Sequence, residues 1–135
     1  YTVGHLRDAA EAGYEVAVNQ IELHPEFQQT ELRQYCKEHN IAVTAYSPLG
    51  RSASLKIPTI IEIAKQHDAT PAQVILAWMM QQDIITIPKS ATLERIEENF
   101  KATEVKLSAD DIAAINKTEQ TDRIIDPDFA EFDYK

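Results

Sequence analysis

The chain has 135 residues, 44% of them hydrophobic and 26% charged, the make-up of one ordinary globular domain with a core of its own. Its formal net charge of −9 excludes broad contact with nucleic acid or an anionic membrane, both of which need basic surface, but leaves room for one local basic pocket. One cysteine, Cys36, rules out an internal disulfide and fits a reducing cytoplasm; no apolar run approaches the ~18 residues of a membrane span, and the first residues carry no signal-peptide pattern.

Tyr1 is not Met and a helical pattern starts almost at once, so the chain reads as beginning within a fold. Leu6, Ala9 and Ala10 share one face of a helix predicted over 2–13, with Gly13 as its C′ residue. Residues 16–21 form a short apolar run that ends in amides, a buried strand. Leu32, Tyr35 and Cys36 line one side of a helix over 29–39, closed by Asn40, and the β-branched run 41–46 is a second strand. A loop follows. Pro58 opens a helix over 58–67. Thr70, Pro71 and Gln73 make a cap, an N1 proline and a capping box for the next helix, which runs to Met80. Residues 84–87 are a third strand stopped by Pro88. Thr92 is placed to cap a helix from 93 to about 101, and Ser108 with Asp111 forms a second capping box. The last 15 residues have no period and read as a tail. There is no internal repeat and no low-complexity stretch.

Strands alternating with helices predict a parallel α/β arrangement, with strands apolar enough to be covered on both faces. A closed (β/α)8 barrel takes about 250 residues, so this chain supplies less than half of one; a three-stranded doubly wound sheet is the alternative.

Polar residues gather where the three strands end: Asn19 and Gln20, Tyr46 and Ser47, Lys89 and Ser90. In barrels and open α/β sheets alike, that edge binds ligands. Lys89, Ser90 and Arg95 surround a helix start, where free N–H groups and the dipole suit a phosphate and Arg adds a planar fork; the bland alternative pairs Arg95 with Glu94 or Glu98 on a solvated face. Tyr46 can present its ring to a flat heterocycle, and Ser47 with the backbone of Leu49 and Gly50 can approach a pyrophosphate; equally, Tyr46 can be a core residue before an ordinary turn. No Gly-rich Rossmann or P-loop fingerprint is present. The four histidines lack metal-ligand spacing and read as structural or exposed, Cys36 and Trp78 as core, and Glu22 as a rim carboxylate with no acid/base partner nearby.

Taken together, N-Q-I-E-x-H-P at 19–25, A-Y-S-P-L-G at 45–50, and I-P-K-S followed by E-R-I-x-E-N-F at 87–100 resemble the aldo-keto reductases in order and spacing, from about residue 2 to about residue 120. The short loop at 51–56 and the short tail look like bacterial members acting on diketogluconate, methylglyoxal and other small carbonyls. The resemblance implies a partial TIM barrel: its last three strands with their helices over 1–120 and a tail over 121–135. It implies NADPH as cofactor and a small aldehyde or ketone as substrate. Gln20 would hold the carboxamide and Tyr46 stack on the nicotinamide. Ser47, Leu49 and Gly50 would meet the pyrophosphate. Lys89, Ser90, Thr92 and Arg95 would bind the 2′-phosphate, and Glu98 and Asn99 the adenine. No residue here matches the family's Asp, Tyr, Lys and His tetrad, which lies upstream of Tyr1, so the chain is expected to be inactive alone. It should meet the missing barrel half, or associate with itself as a non-catalytic nucleotide-binding fragment. Of the substrate pocket, only residues 122–135 would be present.

Overall fold

The structure, a computed structural model, describes residues 1–134. Its order is α1 (Val3–Glu11), β1 (Val18–Glu22), α2 (Thr30–Glu38), β2 (Ala42–Tyr46), α3 (Pro58–Gln66), α4 (Pro71–Met80), β3 (Ile84–Thr86), α5 (Leu93–Lys101) and α6 (Ala109–Asn116). The three strands form one parallel sheet in the order β1-β2-β3, with Val18 opposite Ala42, Glu22 opposite Tyr46, and Val43 opposite Ile84.

Local chemistry sets the helix starts. The hydroxyls of Thr70 and Ser108 accept from the N–H groups of Gln73 and Asp111, and those side chains return the bond, so both expected capping boxes form. A third, Thr2 with His5, opens α1. Gly13 and Asn40, both at positive φ, follow α1 and α2 as C′ residues. The first strand lies two residues later than expected at its start: Val16 packs against the core from the preceding loop, and pairing begins at Val18.

Helix α4 anchors the core. Val74, Ile75, Leu76, Ala77, Trp78 and Met79 are all buried, the larger ones each contributing roughly 1.5–3 kcal/mol, and the Trp78 indole N–H donates to Asn116 at 2.8 Å. On the sheet, Asn19, Ile21, Val43, Ala45 and Ile84 are buried on the helix-covered face. Side chains alternate across a strand, so Val18, Gln20, Ile85 and Ile87 turn to the other face. There Val18 is 53% exposed, Ile85 51% and Ile87 45%. Helices therefore cover one face, as in the wall of a barrel and unlike a doubly wound sheet. The expected burial of both faces is only partly met within this chain: on the second face Thr44 and Glu22 are buried and Tyr46 half-buried, while Val18, Gln20, Ile85 and Ile87 stay exposed.

Candidate functional site

The three strand ends line up at one edge. Glu22 and Tyr46 are register partners, and the Ile87 N–H reaches the Ala45 carbonyl at 3.3 Å, which carries the pairing to Pro88 and places Lys89 and Ser90 at the rim. Gln20 is exposed on the open face. Its neighbour Asn19 is not: it turns inward, is buried, and exchanges two 3.0 Å hydrogen bonds with Tyr1.

Tyr46 is half-buried on the same face as Gln20. Burial pushes its hydroxyl pKa up, the nearby Glu22 carboxylate adds to this, and the Arg123 guanidinium opposes both. The following loop is conformationally costly. Ser47, Arg51 and Ser52 all sit at positive φ, a region that costs a residue with a Cβ of order 1–3 kcal/mol. Gly50 shares that region, and packing within the chain gives a further reason for glycine there. A Cβ there would stand 2.3 Å from the Ser54 hydroxyl, and the Gly50 N–H is already committed to the Ser47 carbonyl at 2.9 Å. Leu49 leans on the core.

At the end of β3, Ser90 and Asn99 are brought together, the Asn99 amide donating to the Ser90 hydroxyl at 2.9 Å. Thr92 occupies the N-cap position of α5, yet its side chain makes no cap hydrogen bond, contrary to the capping expected of it. The first N–H groups of α5 are thus left unmet by a side chain. Lys89 and Arg95 are exposed, and among the described residues neither forms an ion pair, so the bland pairing of Arg95 with Glu94 or Glu98 is not realised. Glu98 is half-buried, its carbonyl accepting from Gln73 at 3.0 Å. Ser90 is thereby joined to Asn99 of α5, Lys89 and Arg95 stand exposed before and within the first turn of that helix, and Gln20 and Tyr46 lie on the neighbouring strands.

Sequence reasoning missed the acid–base cluster behind the rim. Glu22 does have a partner: a carboxylate oxygen lies against each ring nitrogen of buried His24, Glu22 on Nε2 and Glu26 on Nδ1, both at 3.2 Å, and the Ser54 hydroxyl donates to Glu26. The two Glu22 oxygens also accept from the Ile124 and Ile125 N–H groups at 2.6 and 2.9 Å. Glu22, His24 and Glu26 at every second position offered a local hint; the tail contact lies some hundred residues away. Cys36 is fully buried, and burial raises its thiol pKa against the opposing effect of Asn19, as suits a core residue.

A groove of about 920 Å³ opens at the opposite edge, where β2 and β3 begin, lined by Arg33, Lys37, Asn40 and Gln82 among others. None of the predicted site residues borders it, and it lies at the edge that parallel α/β sheets do not use for ligands.

The sequence profile of the aldo/keto reductase family matches residues 1–120. The 9,11-endoperoxide prostaglandin H2 reductase of Trypanosoma cruzi is 49% identical over 115 residues, 82% of this chain and 41% of the relative. The methylglyoxal reductase DkgB of Escherichia coli O157:H7 is 41% identical over 120 residues, 89% of this chain and 45% of the relative. A crystal structure of a Gox0644 variant in complex with NADPH superimposes with a TM-score of 0.88 at 39% identity, covering 98% of this chain and 50% of that one. The chain spans somewhat less than half the length of the curated relatives it matches. Among the described residues no helix is long and apolar enough to cross a membrane, and no group of His, Cys, Asp and Glu is arranged to hold a metal ion.

Proposed function

The chain belongs to the aldo/keto reductase family, and from that premise we propose that it is the C-terminal, cofactor-binding part of an NADPH-dependent oxidoreductase. The substrate of the whole protein is a small aldehyde or ketone. Residues 1–120 are the last three strands of the barrel with their helices, and 121–135 are its tail. Bound NADPH supplies the hydride.

The residues of this chain bind and orient the cofactor. Gln20 holds the carboxamide, Tyr46 lies on the nicotinamide ring, Ser47 with the Leu49–Gly50 turn meets the pyrophosphate, and Glu98 and Asn99 flank the adenine. Lys89, Ser90, Thr92 and Arg95 receive the 2′-phosphate. One observation carries the reading: Lys89 and Arg95 have no ion pair among the described residues and stand beside a helix start whose N–H groups no side chain caps. A phosphate monoester, bearing about 1.5–2 negative charges, meets all of these groups at once and distinguishes NADPH from NADH. The proton donor for the developing alkoxide is not among these residues. The chain alone is therefore inactive, and it works in a reducing, cytoplasmic setting with the remaining barrel strands.

Arg95→Ala tests the assignment. It should weaken NADPH binding by about ten- to hundredfold and leave NADH binding within about twofold, because only NADPH presents the phosphate to the guanidinium. Equal losses for both cofactors would remove Arg95 from the 2′-phosphate site. The complete barrel should consume NADPH with methylglyoxal or a diketo sugar acid, and inertness toward a broad carbonyl panel would contradict the oxidoreductase reading.

A second reading is supported by the open sheet face, with Val18, Ile85 and Ile87 exposed and, among the described residues, the outer edges of β1 and β3 unpaired. On it, the chain is a non-catalytic fragment that binds nucleotide and associates with itself through that face. It predicts NADPH binding without turnover, in an oligomer.

A further inference from the structure

The tail after α6 is tied to the strand-end rim at several points and to α1 at its far end. The Thr121 N–H donates to the Glu26 carbonyl at 2.7 Å, the Thr2 hydroxyl to the Tyr134 carbonyl at 2.6 Å, and the Tyr134 hydroxyl to Asp8. Its central fastening is of another kind. Glu22 is buried to 1% exposure, and each oxygen of its carboxylate takes one successive backbone N–H of the tail, Ile124 at 2.6 Å and Ile125 at 2.9 Å. Charge-assisted bonds to a buried carboxylate are among the stronger hydrogen bonds a protein makes.

This fastening is placed beside Tyr46. Glu22 and Tyr46 are opposite one another in adjacent parallel strands, so their side chains emerge on the same face as neighbours. Residue 123, which precedes the two latched N–H groups, is held at the same spot. The Arg123 guanidinium carbon lies 3.4 Å from the centre of the Phe132 ring and 5.1 Å from that of Phe27. Stacking occupies the guanidinium's flat faces and leaves its in-plane N–H donors available. Among the described residues Arg123 forms no ion pair, and it directly precedes the segment fastened to Glu22, the register partner of Tyr46; its charge opposes the upward push of burial on the Tyr46 hydroxyl pKa.

We propose that the C-terminal tail orders the nicotinamide end of the cofactor site: Glu22, the strand neighbour of Tyr46, latches the tail at Ile124 and Ile125, the latch holds the stacked Arg123 at the same strand-end rim, and Glu22 and Arg123 are positioning residues for the Tyr46 ring. The inference rests on the reading of Tyr46 as the residue facing the nicotinamide. It separates the site into two halves that respond independently. The 2′-phosphate half, around Lys89 and Arg95, is built by β3 and α5. The nicotinamide half depends on the tail.

The test measures binding of two ligands to the full chain by calorimetry: NADPH, which fills both halves, and 2′,5′-ADP, which fills only the phosphate half. The variants are Glu22→Gln, in which an amide NH2 faces one of the tail N–H donors, and Arg123→Ala, at a half-buried position whose loss spares the core. Each should weaken NADPH by about tenfold, the equivalent of one well-placed contact, with 2′,5′-ADP unchanged within twofold. Should Glu22→Gln fail to fold, Arg123→Ala and removal of residues 123–135 give the same readout. Unchanged affinity for both ligands, or equal loss for both, would overturn the inference, the second result marking the latch as general support for the fold. Failure of the unaltered chain to bind either ligand would instead overturn the cofactor reading on which the inference stands.

Discussion

Replacing Gly50 by alanine should destabilise the chain by about 2–5 kcal/mol. Two terms make up the figure. At φ +53° a Cβ costs roughly 1–2 kcal/mol, because it crowds the carbonyl oxygen. The added methyl would also stand 2.3 Å from the Ser54 hydroxyl oxygen. Ser54 has no exposed surface and its hydroxyl is engaged with Glu26, so it cannot swing aside freely, and overpacking of this kind costs roughly 1–3 kcal/mol. A double-mutant cycle separates the terms. In Gly50→Ala with Ser54→Ala the nearest remaining contact is the residue-54 Cβ at 3.5 Å, an ordinary van der Waals distance, so the clash disappears while the backbone term stays. Ser54→Ala alone loses a hydrogen bond and should cost roughly 1 kcal/mol. The double variant should therefore be more stable than the sum of the singles predicts, by about 1–3 kcal/mol in urea unfolding. Strict additivity, or a Gly50→Ala cost under about 0.5 kcal/mol, would refute the claim that packing against Ser54 requires glycine there.

Asp111 gives a pH-dependent signature. Burial alone would raise its carboxyl pKa, but hydrogen bonds from the Ser108 N–H and hydroxyl, together with His67 at 2.9 Å, outweigh it and hold the group below its ordinary 3.8. A depressed carboxylate stabilises the fold fully above pH 3.8 and loses that contribution as pH falls through the folded-state value. Asp111→Asn should cost roughly 1 kcal/mol at neutral pH and flatten the melting profile below pH 4, whereas parallel profiles for the two proteins would argue against the assignment. On the open face, Ile85→Lys with Ile87→Lys should change unfolding free energy by less than about 0.5 kcal/mol yet reduce self-association in light scattering; an unaltered oligomer distribution would show that this face is not the contact.

The parts of the fold set by neighbouring residues were legible in the amino-acid order. Thr70 with Gln73 and Ser108 with Asp111 cap their helices three residues ahead, and Pro58 and Pro71 stand at the first helical positions, so each start is written in a four-residue window. Gln20, Tyr46, Lys89 and Ser90 were readable as a rim because strand ends can be found from apolar runs. Thr92 was not, since whether a cap residue's hydroxyl turns inward depends on tertiary surroundings. Nor was the alternation that buries Asn19 and exposes Gln20, because the run 16–21 does not reveal which face the helices cover. The Glu22 latch joins residues 102 and 103 positions apart, and the Glu26–Ser54 contact spans 28, separations at which no local pattern operates.

The most direct measurement is a competition titration of the chain with NADPH. Saturable NADPH binding that 2′,5′-ADP displaces and 5′-ADP does not is the expected result, because Lys89, Arg95 and the uncapped start of α5 together receive the 2′-phosphate. Displacement by both nucleotides at similar concentrations, or no saturable binding at all, would contradict it.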